Sequence, residues 1–459
     1  MPRPPRDPNA AAGRTSAELA EGRPPHFRLF GVPVRIGAGF LLTALLFGSL
    51  GPTPAGGMAR ALIVFVSILV HELGHAVVGR AFGGRPTVEL HALGGLTQLG
   101  GASLSRARHA LMTLAGPFAG FALGLVVWLA TRHAHLSGEQ ASVVHFALFV
   151  NVGWGVINLL PVLPFDGGQV LAAVLGPKHV FATALVSTIV GAVVAVFGAL
   201  HGWFMLTFFF GASAMRGVTI ARRAYEASRD ARAGLDGQLA KARDALSREA
   251  WGDAIVLADD VVRRAKTLPV RNAGWTALAW AHAGKREGVA AREALAHVEP
   301  RSAVDPYTVA VVEDAAGAPD RARGVLHAAR DVGLKSPEMT RLLVDLYARD
   351  GRLDRAVEIA IEDAALLAHD DGRAVFAAAL DGGQYRRAAA LADRMFAIFA
   401  DPRDVVDEAR ALVRAHEAEP AIRALLRALE MGALRSSEIE IDPDFAPFRD
   451  DARVRALAR

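Results

Sequence analysis

His71-Glu72-Leu73-Gly74-His75 lies inside an apolar run from Met58 to Phe82, and its reading decides what the first half of the chain is. In a helix, residues four apart share a face, so the pattern H-E-x-x-H brings the His71 and His75 imidazoles to one point in space. Two neutral imidazoles there can ligate one metal ion. Glu72 sits one step round, where a carboxylate can take a proton from a water on that metal. Polar and ionisable groups at membrane depth are costly, so their presence points to function. The plainer alternative is a helix end carrying two interfacial histidines.

A catalytic zinc takes three protein ligands and keeps an open position for water. The chain has no cysteine, so a third ligand must be His, Asp or Glu. The best candidate is Asp166, in the stretch Asn158-Leu159-Leu160-Pro161-Val162-Leu163-Pro164-Phe165-Asp166-Gly167-Gly168. It follows a long apolar segment, in a turn built from two prolines and two glycines. Irregular backbone at membrane depth is tolerated where it faces protein or a wet cavity, and a carboxylate there calls for a cation. An Asp that only caps a helix starting near Gly167 is the competing reading.

These two stretches together resemble the site-2 protease family of zinc-dependent intramembrane proteases. The second signature of that family is N-x-x-P-x-x-x-x-D-G, and Asn158, Pro161, Asp166 and Gly167 fall on its fixed positions. The resemblance extends to A-L-G-G-L at Ala92–Leu96 and A-G-P at Ala115–Pro117, and covers roughly residues 27–223. It implies His71, His75 and Asp166 as ligands of one zinc ion and Glu72 as the catalytic base. It also implies that Asn158 contacts the substrate carbonyl or the Asp166 turn. Gln169 stands where many relatives carry Arg, a departure that leaves the ligand set untouched.

The chain's 459 residues allow about three domains. Apolar runs crowd the first half, which separates a membrane half from a soluble one. Lys and Arg number 51 against 47 Asp and Glu, a formal net charge of +4. That bias is too slight to point to nucleic acid. Residues 1–26 are rich in Pro, Arg and Gly and are expected to be disordered. A secretory signal competes for the short apolar run at 37–50. The long leading segment and the lack of a clear A-x-A site favour an uncleaved membrane helix.

Six apolar segments follow, near 38–52, 59–82, 107–131, 141–160, 179–199 and 202–221. Arg23, Arg28, Arg35, Arg80, Arg85, Arg106, Lys178, Arg222 and Arg223 flank one set of ends, against mainly Arg60 and Arg132 at the other. The positive-inside rule then places both termini in the cytoplasm of a cell membrane, of the bacterial inner-membrane type. The same assignment places His71, His75 and Asp166 nearer that side. Val32, Val34 and Ile36 alternate, as in a short hairpin over 26–36. Pro86–Leu99 is too polar and Gly-broken to span. Val88, Leu90 and Ala92 alternate there with polar residues and the glycines. A strand edge at Gly94 and Gly95 could hold an unwound substrate by β-augmentation. His91 is weighed as a further ligand and set aside, because a catalytic zinc keeps an open site.

From about Ala224 the composition turns to Ala, Arg, Asp and Glu with helical periodicity. Gly317 precedes Ala322 by five residues, as Gly351 does Ala356 and Gly383 does Ala388. Ala254, Ala290 and Ala421 are looser equivalents, giving alanine steps of 36, 32, 34, 32 and 33. That period is the spacing of tetratricopeptide helix pairs, in which small residues allow close packing. A generic Ala-rich helical domain is the plainer alternative.

The expected fold is therefore all-α and multi-pass, with about six transmembrane helices and a small β element near the site. A tetratricopeptide-like α-solenoid over 224–459 follows it. The expected function is zinc-dependent endoproteolysis of a transmembrane or membrane-proximal protein, with the repeats binding substrate or a cytoplasmic regulator. The rival class is a non-catalytic membrane scaffold. Retention of His71, Glu72, His75 and Asp166 together weighs against it.

Overall fold

The computed structural model describes residues 25–49, 51, 53–92, 94–101 and 103–457. All but the last two of residues 1–26 lie outside these. Contacts cluster into two units, one reaching to Arg229 and one running from Asp230 to Arg459.

The first unit opens with β1 (Phe27–Leu29) and β2 (Val32–Ile36), paired antiparallel with Phe27 opposite Val34. A turn at Phe30 and Gly31, both at positive φ, joins them. The stretch too polar to span forms a second hairpin, β3 (Arg85–His91) and β4 (Gly94–Gly100), in register from Arg85 opposite Gly100 to His91 opposite Gly94. β2 and β3 pair in parallel, so the sheet order is β1-β2-β3-β4 and β4 is an edge. Alternation puts Val32, Val34, Val88 and Leu90 on one face. They are buried with Phe40, Leu69, Leu73 and Ala76, which seats the sheet against the helix that carries H-E-x-x-H.

The helices of this unit are α1 (Ala38–Ser49), α2 (Pro54–Ala81), α3 (Arg106–Thr131), α4 (Gly138–Asn158), α5 (Asp166–Leu175), α6 (Val180–Leu200) and α7 (Phe204–Arg232). Among the described residues five helices are long and apolar enough to cross a membrane: α2, α3, α4, α6 with the turn before it, and α7. The first of the six expected segments is α1, a helix of 12 residues. At a rise of about 1.5 Å per residue it is about 18 Å long, short of the ~30 Å hydrocarbon layer. Thr53 caps α2, with Pro54 at its first turn, and Ser105 caps α3. A π-turn at Phe149–Gly153 interrupts α4. There Asn151 donates to Ser67 Oγ at 2.9 Å, tying α4 to α2. Asn151 thus has the interhelical role that polar residues commonly take in membranes.

The second unit is a succession of helices packed each on the next. Six pairs recur among the described residues: 235–247 with 251–264, 268–284 with 288–296, 306–315 with 319–331, 337–349 with 353–362, 369–381 with 385–399, and 402–414 with 418–430. Within every pair the turn is the same. A residue at positive φ stands at Glu249, Arg286, Gly317, Gly351, Gly383 and His416. The next N–H bonds back five residues, as in Ala250→Ala245, Glu287→His282, Ala318→Glu313, Arg352→Tyr347, Gln384→Ala379 and Glu417→Leu412. This is the Schellman closure, which satisfies carbonyls left over at a helix end. The fourth residue of each second helix is a buried alanine: Ala254, Ala291, Ala322, Ala356, Ala388 and Ala421. The equivalent expected at Ala290 is therefore Ala291, because Ala290 is only half-buried on the neighbouring face. Phe445 and Phe448, in the short turn after Asp442, bury themselves in this unit's core.

Candidate metal centre

The helical spacing of His71 and His75 on α2 does what periodicity requires: their Nε2 atoms lie 3.2 Å apart. Asp166 begins α5, and its carboxylate turns to the histidines rather than to its own helix. Oδ2 lies 3.0 Å from His71 Nε2 and 3.6 Å from His75 Nε2. Phe165 occupies the N-cap position, so Asp166 is the first residue inside the helix rather than its cap. The glycines that follow are sterically required. A Cβ on Gly167 would meet Leu159 O at 2.1 Å, and one on Gly168 would meet the Val162 carbonyl carbon at 2.5 Å. The tight turn between α4 and α5 thus needs both glycines to bring Asp166 to the histidines.

The three atoms, 3.0, 3.2 and 3.6 Å apart, lie within a few tenths of an ångström of what zinc requires. Zinc–ligand bonds of about 2.0–2.2 Å at tetrahedral angles put neighbouring ligand atoms about 3.3–3.6 Å apart. His75 Nδ1 lies 2.9 Å from the Met112 carbonyl, which as acceptor for an Nδ1–H leaves Nε2 with its lone pair available to a metal. Gly116 on α3 leaves the space open. A Cβ there would stand 2.3 Å from His75 Nε2 and 2.9 Å from His71 Nε2. Neutral imidazole and carboxylate are zinc's usual nitrogen and oxygen donors, so the residues fit the ion.

Glu72 is buried beside this set, and its ligand atom lies within 4.8 Å of those of both histidines. Asn158 closes α4 with its amide nitrogen 3.4 Å from His71 Nε2. Gly95 on β4 lies against Glu72, where a Cβ would come within 2.3 Å of the side chain, and Gly94 is at φ +133° at the start of that strand. The structure therefore gathers His71, Glu72, His75, Asp166, Asn158 and Gly95 in one place. Among the described residues His71, Glu72 and His75 form a cluster that could hold a metal ion, and Asp166 joins it through its contacts with both histidines. Met112 and Thr97 were not singled out by sequence reasoning, whereas Gly116 lies in the quoted A-G-P stretch. Strand alternation puts Thr97 on the face of Gly95, two residues before it, but the contact with Glu72 is tertiary.

The model of peptidase family M50 matches residues 129–200, a stretch that contains Asn158 and Asp166. A zinc metalloprotease of Methanocaldococcus jannaschii is 25% identical over 156 residues, 33% of this chain and 45% of that protein. A Mycobacterium tuberculosis protein named as a zinc metalloprotease is 35% identical over 153 residues, 30% of this chain and 37% of that one. A similarly named Synechocystis protein is 29% identical over 161 residues, 32% of this chain and 42% of its own length. The chain spans under half the length of these curated relatives. A solved site-2 protease from Methanocaldococcus jannaschii aligns with 44% of this chain and 94% of its own, at 21% identity and a TM-score of 0.32. Family model and curated relatives together support peptidase family M50, the site-2 protease family, for the membrane half of this chain.

Proposed function

We propose that the chain is an intramembrane endopeptidase that binds one zinc ion and hydrolyses a transmembrane or membrane-proximal protein near the cytoplasmic face. One observation carries this reading: two imidazole nitrogens and a carboxylate oxygen converge at 3.0–3.6 Å, with a second buried carboxylate beside them. Zinc, when bound, supplies Lewis acidity toward a carbonyl and acidifies water. His71, His75 and Asp166 hold the ion. Glu72 takes the proton of the attacking water and delivers it to the amide nitrogen as the C–N bond breaks. Asn158 donates to the carbonyl oxygen. The open edge of β4, entered at Gly94 and Gly95, pairs with an extended substrate segment. The positive-inside count supports cytoplasmic termini in a bacterial inner membrane. The paired helices of residues 230–459 act as a tetratricopeptide-like docking surface for a substrate segment or a cytoplasmic regulator.

The test combines metal content with cleavage of a helical membrane substrate in detergent. Glu72→Gln retains about one zinc per chain and loses at least about 100-fold in kcat. His71→Ala, His75→Ala and Asp166→Ala lose zinc and activity together. Wild-type cleavage by Glu72→Gln would remove the base from the mechanism. A full chain that binds no zinc would remove the reading itself.

A further inference from the structure

Glu72 is held from outside its own helix. β4 passes beside it, with Gly95 so close that any side chain there would overlap the carboxylate. Two residues on, along the same face of the strand, Thr97 Oγ1 lies 2.7 Å from Glu72 Oε2 and 3.1 Å from the Glu72 carbonyl oxygen. The hydroxyl has one proton to donate, and the shorter contact assigns it to Oε2 rather than to the backbone carbonyl. A hydrogen bond on Oε2 fixes the plane of the carboxylate and leaves Oε1 as the proton acceptor. It holds the carboxylate in place beside the two histidines, where one of its oxygens lies within 4.8 Å of their ligating nitrogens. Thr97 belongs to the edge strand of the sheet, so the element with an open edge is also the one that orients Glu72.

We infer that Thr97 is a positioning residue for the Glu72 carboxylate, and that the seating of β4 sets the alignment of the catalytic base. This rests on the proteolytic reading above. A merely structural Thr97, satisfying a buried acid, predicts loss of folding or of zinc rather than a selective loss of turnover.

The experiment uses the full chain in detergent with a helical membrane substrate. Thr97→Val, nearly isosteric, keeps its zinc and a KM within about twofold, while kcat falls about 10- to 100-fold, the size of a hydrogen bond to a charged group. Thr97→Ser, which keeps the hydroxyl, stays within about threefold of wild type. A second readout uses metal-free protein. The infrared difference between each background and its Glu72→Gln derivative isolates the Glu72 carboxylate band, which shifts in Thr97→Val and holds in Thr97→Ser. Should Thr97→Val fail to fold, Thr97→Ala makes the same comparison. An unchanged kcat and carboxylate band in the folded variant overturns the inference, as does a loss that Ser does not rescue. The protease reading fails separately, when Glu72→Gln itself is as active as wild type.

Discussion

At Gly116 a single methyl group is enough to disturb the proposed ligand set. Its Cβ would press on both imidazoles from α3, at 2.3 Å from His75 Nε2 and 2.9 Å from His71 Nε2. Helix backbone cannot yield by that much without breaking the contact between α2 and α3, so the rings must turn instead. Gly116→Ala is expected to weaken zinc binding about 10- to 100-fold, the range seen when a ligand's support is disturbed. Gly211→Ala, whose Cβ meets Ala195 at an easy 3.9 Å, should keep zinc unchanged. Metal titration of both variants decides it, and equal affinities would remove Gly116 from the site. The convergence of His71 and His75 was legible in the sequence because helical spacing places them together unaided. Asp166 was legible through its prolines and glycines. Thr97 and the Met112 carbonyl reach the site across tertiary contacts, 25 and 37 residues along the chain from their partners. No local period encodes such a contact.

At the scale of elements, one turn explains why the repeat was only half visible. The positive-φ position that ends each first helix is glycine at 317, 351 and 383, and these three are what the sequence displays. At Glu249, Arg286 and His416 the same backbone is forced on ordinary residues, so the sequence signal vanishes while the geometry persists. A left-handed residue with a Cβ costs about 1–2 kcal/mol, part of which glycine returns through its freer unfolded state. Arg286→Gly and His416→Gly are each expected to stabilise their helix pair by about 0.5–1 kcal/mol. Gly351→Ala should cost about 1 kcal/mol, and nothing lies within 4 Å of the added Cβ to confuse the result. Hydrogen exchange of the flanking helices in the full chain reads these changes. Opposite signs would mean that the turn is not what limits local opening. The first apolar segment is expected to be short for a span, and the structure gives it a short helix. Its 12 described helical residues reach across the hydrocarbon layer only with flanking residues or a locally thinner bilayer.

Over the whole molecule the chain divides by where its apolar surface can be hidden. Up to Arg229 the helices leave large apolar side chains such as Leu41, Leu125, Val193 and Phe208 exposed, which water would not tolerate and lipid would. From Asp230 onward one core of small and branched residues runs continuously from Leu239 to Val454. Its exposed faces carry ion pairs such as Arg248–Asp244 and Arg453–Glu419. A core closed within one segment needs no bilayer, so residues 230–459 are expected to be soluble, helical and cooperative when made alone. Circular dichroism with urea denaturation checks this. All four residues proposed for zinc and base precede Arg229, so deleting 230–459 should leave about one zinc per chain. The deletion should slow or deregulate cleavage of the natural substrate, while a generic unstable membrane helix is still cut slowly. A truncated enzyme with unchanged rate and control on its natural substrate would overturn the docking role of the paired helices. Loss of zinc on truncation would instead make those helices part of the core that builds the metal site.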